Sequence, residues 1–268
     1  MWGLKLAANW MTRGQLMTSK VALVTGVSRK IGIGAAIART FAEAGIGVFT
    51  TYYRPYDELM PWGSSPNEPE ELIEELRTKG VRAEGVEADL ADPEIPSKVI
   101  HHAYDSLGFV DILVNNATCD IEADIYSLTP GSLDMHYAVN VRGAMLLCAE
   151  FAKRHDGRPG GRIINLSSGQ GLGPMPRNLP YAATKGAVEA FTLSMSVLLA
   201  SKGITVNAVD PGPTDTGWLS DGLRAELIER APFGRIGTPA DVAQLVLFLA
   251  SSEGQWITGQ VVHSRGGL

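Results

Sequence analysis

Tyr181 and Lys185 stand four residues apart in a predicted helix, so they share a face about one turn apart. An unperturbed phenol titrates near ~10. A neighbouring ammonium favours the phenolate and lowers that value, which makes Tyr181 a usable general acid or base near neutrality. Ser168 lies thirteen residues earlier, just after a predicted strand. That is the carboxyl edge of a sheet, where α/β proteins bind ligands. A second feature is the glycine-rich turn Thr25-Gly26-Val27-Ser28-Arg29-Lys30-Ile31-Gly32-Ile33-Gly34. Glycines there let backbone N–H groups approach a pyrophosphate, and a helix N-terminus favours its charge. Each signal alone has a plain reading, a surface Tyr/Lys pair or an ordinary strand-to-helix turn. Together with Asn115-Asn116-Ala117 on another strand end, they point to acid–base chemistry beside a bound anionic cofactor.

Regular elements must hold these residues. Strands are predicted at Val21–Thr25, Gly47–Tyr53, Val81–Ala88, Val110–Val114, Arg162–Leu166, Ile204–Val209 and Gly259–His263. Helices are predicted at Ala35–Ala44, Glu68–Lys79, Pro93–Leu107, Ser132–Arg154, Tyr181–Ser201 and Pro239–Ser251. Strand and helix alternate, which implies right-handed crossovers. The expected fold is α/β: a single Rossmann-type doubly wound parallel sheet of about seven strands with helices on both faces. Residues 18–268 form that one domain, and residues 1–17 read as an extension ahead of it. Arg54–Pro69 carries Pro55, Pro61, Pro66 and Pro69 and reads as a long loop, partly extended, anchored by Met60 and Trp62. It is expected to fold over the adenosine side of the site or onto the following helix.

Composition narrows the function. The 268 residues are 45% hydrophobic and 19% charged, which excludes dominant disorder. The net charge of −6 argues against nucleic acid or an anionic membrane surface as partners. The longest apolar runs, such as Leu245–Ala250, fall far short of the roughly 18 residues that span a bilayer. Two cysteines, Cys119 and Cys148, build no disulfide framework and suit a reducing, cytoplasmic setting. The five histidines show no ligand spacing with them, so no metal site is expected.

From about Lys20 to the C-terminus the chain resembles the short-chain dehydrogenase/reductase family. The glycine turn looks like that family's cofactor turn, and Asn115-Asn116-Ala117-Thr118 like its Asn-Asn-Ala-Gly segment. Asn140, Ser168, Tyr181 and Lys185 fall at its catalytic positions, and Pro211-Gly212-Pro213-Thr214-Asp215-Thr216 resembles the segment gripping the nicotinamide end. The departures are Lys30 near an expected glycine, two extra residues before Gly32 and Gly34, Thr118 for the last glycine, and the long Arg54–Pro69 loop.

The resemblance implies hydride transfer between a nicotinamide and a carbonyl or alcohol. Tyr181 would be the proton donor, Ser168 would bond the same oxygen, and Lys185 would lower the Tyr181 pKa and hold the ribose hydroxyls. Asn140 would hold a water that passes protons to Lys185; its plain reading is a buried helix Asn bonded to backbone. Cofactor contacts would come from Gly26, Ser28, Arg29, Gly32, Ile33, Arg54, Asp89, Leu90, Asn116, Ala117, Tyr181, Lys185, Pro211, Gly212, Thr214 and Thr216. The end of the second strand, about Tyr52, carries no carboxylate for a ribose 2′-OH, whereas Arg54 and Arg29 can clamp a 2′-phosphate. NADP(H) is therefore expected over NAD(H). The resemblance implies the chemistry of 3-oxoacyl-(acyl-carrier-protein) reductases, with steroid, sugar and polyketide alcohol dehydrogenases equally compatible. One alternative is an enoyl-thioester reductase, but those enzymes use a wider Tyr-to-Lys gap than the three intervening residues here. The other is a regulatory NADP(H) binder without turnover, which needs no proton donor. Trp218 and Leu219 would sit in a mobile lid over the substrate. Pro239 to the C-terminus would pack against a sister subunit, in a tetramer or else a dimer.

Overall fold

Val21 and Leu23 point to one core and Ala22 and Val24 to another, the period-two pattern of a strand buried on both faces. The computed structural model describes residues 20–268, and the expected 1–17 extension lies outside them. Seven parallel strands form one sheet: β1 Val21–Val24, β2 Gly47–Tyr52, β3 Ala83–Glu87, β4 Ile112–Asn115, β5 Gly161–Leu166, β6 Ile204–Asp210 and β7 Val261–His263. Their order is β3-β2-β1-β4-β5-β6-β7. The order reverses between β1 and β4, so a crevice opens at the carboxyl ends of those two strands.

Helices cover both faces. On one side α1 (Ile33–Glu43), α3 (Glu68–Thr78) and α9 (Pro239–Ala250) bury Ile37, Phe41, Leu72 and Val246 against the sheet. On the other, α4 (Ile95–Leu107), α6 (Ala144–Arg154) and α7 (Leu179–Ala200) bury Ile100, Leu147, Phe151 and Leu199. Gly45 ends α1 with a φ of +80°, the left-handed C-terminal stop that glycine takes without strain.

Three local expectations are corrected. The Arg54–Pro69 stretch begins with a short helix, α2 (Arg54–Leu59), because Pro55 falls in its first turn, where a missing N–H costs nothing. The long helix expected over Ser132–Arg154 is α5 (Pro130–His136), a π-helical stretch at Tyr137–Gly143, then α6. α8 (Asp221–Arg230) was absent from the sequence reading. It buries no residue, so it has no apolar stripe to read, and Ser220 starts it by accepting the Leu223 N–H.

Phe151 is fully buried against the sheet. Phe151→Ala should cost about 3–5 kcal/mol of unfolding free energy by denaturant titration.

Candidate active site

The glycine turn is built by contact with the loop after β4. Gly26 has a φ of +72°, and a Cβ there would stand 2.6 Å from the Ala117 Cα. A Cβ on Gly34 would stand 2.7 Å from Asn116 Nδ2. Asn116 Nδ2 donates to the carbonyls of Thr25 and Gly26 at 2.8 and 3.0 Å, and Thr25 Oγ1 accepts the N–H groups of Asn116 and Ala117. α1 begins at Gly32 with no side-chain cap and no acidic residue in its first turn. Its free N–H groups make a seat for an anion.

The extra residues of this turn reach outward. Lys30 donates its N–H to Glu68 and pairs its ammonium with Glu71, both on α3. Arg29 sits 4.7 Å over the Trp62 ring and donates to the Thr216 carbonyl at 3.0 Å. Trp62 donates to the buried carboxylate of Asp57 at 2.9 Å. The proline-rich segment is thereby folded onto the turn.

A cavity of about 350 Å³ lies between them. Gly26, Ser28, Arg29, Gly32, Ile33, Asp89, Leu90, Asn116, Ala117 and Thr216 line it, together with Tyr53, Pro55, Tyr56, Asp57 and Leu59 from the β2 end and α2. Expectation and structure part at Arg54. Its guanidinium is held by Glu87, Nη2 to Oε2 at 2.6 Å and Nε to Oε1 at 3.0 Å, and it does not line the cavity. Of the two arginines expected at a 2′-phosphate, Arg29 lines the cavity and Arg54 does not, because the neighbouring strand β3 supplies Arg54 with a carboxylate.

Ser168, Tyr181 and Lys185 come together at the carboxyl end of β5 and the start of α7, and none of the three lines the cavity. Ser168 follows β5, and its side chain is near enough to the Tyr181 hydroxyl to bear on its titration. Lys185 is buried and donates to the Leu166 carbonyl at 2.8 Å, with its ammonium 5.4 Å from the Tyr181 ring centre. Burial lowers the Lys185 pKa to about 8, and Asp120 opposes that shift. Tyr181 departs from expectation. Burial pushes its phenol above the ordinary value, Asp120 adds to the rise, and Ser168 opposes it. Desolvation sets the direction of the shift.

Asn140 lies in the π-helical stretch, and its amide is fully used. Oδ1 accepts the Cys119 N–H at 2.7 Å and the Thr118 hydroxyl at 3.1 Å. Nδ2 donates to the Cys119 carbonyl and to Thr184 Oγ1. The side chain has no donor left for the expected water, so its part here is to fix the loop after β4. Thr118, the departure from glycine, supplies one of those bonds.

Pro211, Gly212 and Thr214 lie in the turn after β6 and do not line the cavity. The Thr214 hydroxyl is spent on the Pro211 and Gly212 carbonyls. Trp218 is half-exposed and donates to the Thr214 carbonyl. The sequence reading missed Asp210, which is buried at the β6 end and accepts from Gly212 N, His263 Nδ1 and Arg265 Nη1. It also missed Tyr56 and Asp120. Tyr56 donates to the Asp120 carbonyl and accepts the Asp120 N–H, and burial raises its pKa to about 12. A carboxylate five residues beyond the end of a strand was the signal for Asp120.

Among the described residues no cluster of three or more His, Cys, Asp or Glu could hold a metal, and no helix is long and apolar enough to cross a membrane.

Lys185 sets a pH prediction. Between about pH 8 and the ordinary lysine value, the unfolded chain holds a proton that the folded chain has released. Stability from this group therefore rises with pH across that window and is lowest below it. Lys185→Met should flatten that rise by roughly 1–3 kcal/mol in urea titrations at pH 7.5 and 10.

The family described as Enoyl-(Acyl carrier protein) reductase matches residues 26–268. An uncharacterized oxidoreductase of Bacillus subtilis is 48% identical over 251 residues, 93% of this chain and 96% of the relative. A 3-oxoacyl-[acyl-carrier-protein] reductase of Staphylococcus aureus is 35% identical over 253 residues, 93% and 98% of the two chains. A short chain dehydrogenase from Burkholderia cenocepacia, solved in complex with NADP, superposes with a TM-score of 0.83 at 34% identity, covering 93% of this chain and 97% of that one. With the seven-stranded sheet, the glycine turn and the Ser168, Tyr181 and Lys185 group, these likenesses make the chain a member of the short-chain dehydrogenase/reductase family of oxidoreductases.

Proposed function

We propose that this protein is an NADP(H)-dependent ketone reductase, acting on a 3-oxoacyl thioester or a similar ketone. The observation that carries the reading is the grouping of Ser168, just after β5, with Tyr181 and Lys185 on α7, the Lys185 ammonium 5.4 Å from the Tyr181 ring and bonded to the Leu166 carbonyl. A protein that only binds a dinucleotide has no use for a proton donor held this way.

The donor set fits a pyrophosphate dinucleotide, since α1 starts uncapped and without an acidic residue at the cavity wall. Gly32, Ile33 and Ser28 would hold the phosphates, Asp89 and Leu90 the adenine side, and Thr216 the nicotinamide side. Bound there, the nicotinamide supplies or accepts the hydride. In reduction, Tyr181 gives its proton to the carbonyl oxygen. Ser168 donates a hydrogen bond to that oxygen and disperses its developing charge. Lys185 holds the ribose and stabilises Tyr181 once the proton has left. Asn140 and Thr118 keep the loop after β4 in place.

The matched family carries an enoyl reductase description, so alkene reduction is the second reading. The three-residue gap between Tyr181 and Lys185 favours the carbonyl. A homotetramer is part of the proposal, supported by the exposed apolar stripe Leu193, Val197 and Leu198 on α7 and by Phe248 on α9. A cytoplasmic setting is supported by two free, buried cysteines.

Wild-type protein should oxidise NADPH with an acetoacetyl thioester and not with a crotonyl thioester. Tyr181→Phe should lower that turnover by about 10²–10⁴ with NADPH binding nearly intact. Turnover within threefold of wild type would sink the assignment.

Arg29→Ala should weaken NADPH binding by about 1–3 kcal/mol in calorimetry and change NADH binding far less. Equal loss for both cofactors would remove Arg29 from the 2′-phosphate.

A further inference from the structure

Asp120 is an exposed carboxylate within electrostatic reach of both Tyr181 and Lys185. Its loop is tied to the start of α7. Asn178 Nδ2 donates to Asp120 Oδ1 at 2.9 Å, Leu179 N donates to the Ala123 carbonyl, and Arg177 pairs with Glu122. Tyr56 grips its backbone from the other side. The second carboxylate oxygen has no hydrogen-bond partner.

The other charges around Tyr181 are engaged. Glu122 is paired with Arg177, Asp210 with Arg265, Glu189 accepts from Ser167, and the Lys185 ammonium is turned inward to the Leu166 carbonyl. Asp120 thus keeps one carboxylate oxygen without a hydrogen-bond partner, on a loop bonded to the start of α7 and to Tyr56. A carboxylate on the substrate, one or two bonds from the reacting carbonyl, would be brought against it in a partly desolvated site.

We infer that Asp120 is a specificity-determining residue that turns away ketones bearing a free carboxylate and passes their uncharged esters or thioesters. The inference rests on the ketone-reductase reading and deepens it. Repulsion between two charges several ångströms apart near a protein surface is worth on the order of tenfold or more in affinity, and less at high salt.

The test uses ethyl acetoacetate and acetoacetate as a neutral and an anionic ketone of like shape. NADPH-dependent kcat/KM is measured for both with wild type, Asp120→Asn and Asp120→Glu. Asparagine keeps an acceptor for Asn178 and removes only the charge. The expected result is a wild-type preference for the ester that falls at least tenfold in Asp120→Asn, is retained in Asp120→Glu and shrinks as salt is raised. Dissociation constants of the two compounds on NADP⁺-saturated protein give the same ratio without turnover. If that binding ratio falls as expected but neither compound is reduced, the specificity role stands and the ketone-reductase reading fails. A ratio unchanged in Asp120→Asn, or no wild-type preference for the ester in either readout, overturns the role of Asp120.

Discussion

A buried ammonium must be given an acceptor, and in this protein that requirement sets the active site. Lys185 finds its acceptor in the Leu166 carbonyl, at the last residue of β5. The bond pins the first turns of α7 to the edge of the sheet. Tyr181, one turn earlier on the same face, is thereby set beside Ser168, which follows β5 by two residues. The same burial that anchors Lys185 moves both titrating groups away from charge, lysine downward and phenol upward. The site before ligand binding is thus a protonated phenol beside a lysine that gives up its proton easily.

A second framework of polar bonds runs inward from that edge. Asn115 donates to Asn165 on the next strand, and Asn165 donates to Thr192 on α7. Asn140, Thr118 and Cys119 form a companion set around the π-helical stretch. These groups are buried, so each unmade bond would be costly, and the strand ends are held in one arrangement. That framework holds the ends of β4 and β5 and the start of α7, and with them Ser168, Tyr181 and Lys185, in fixed mutual positions.

The cofactor side is held differently. Arg29, Trp62 and Asp57 join the glycine turn to the proline-rich segment by a cation–π contact and one hydrogen bond, and Arg29 also reaches Thr216. Few apolar groups are buried there. α8 and the half-exposed Trp218 share that character. Segments of this kind open at lower cost than the sheet beneath them.

Much of this was determined locally. Alternation of apolar and turn residues specifies a doubly wound sheet, because strands buried on both faces read as continuous apolar runs. The Tyr181/Lys185 spacing and the position of Ser168 after a strand are likewise local, and they assembled where the order of elements required. What the chain order could not decide was competition between neighbours. Arg54 follows β2 as a free cation would, and only the pairing of β2 with β3 brings Glu87 to occupy it. Lys185 was expected to depress the Tyr181 pKa, but the depth of burial reversed the sign. Asn140 was expected to hold water, and the folded loop after β4 consumed its amide. Asp120 carried only its place beyond a strand end, and Asn178 and Tyr56 hold it beside the start of α7. Periodicity and spacing act through nearest neighbours along the chain, whereas charge pairing and desolvation depend on which distant groups arrive at the same edge of the sheet.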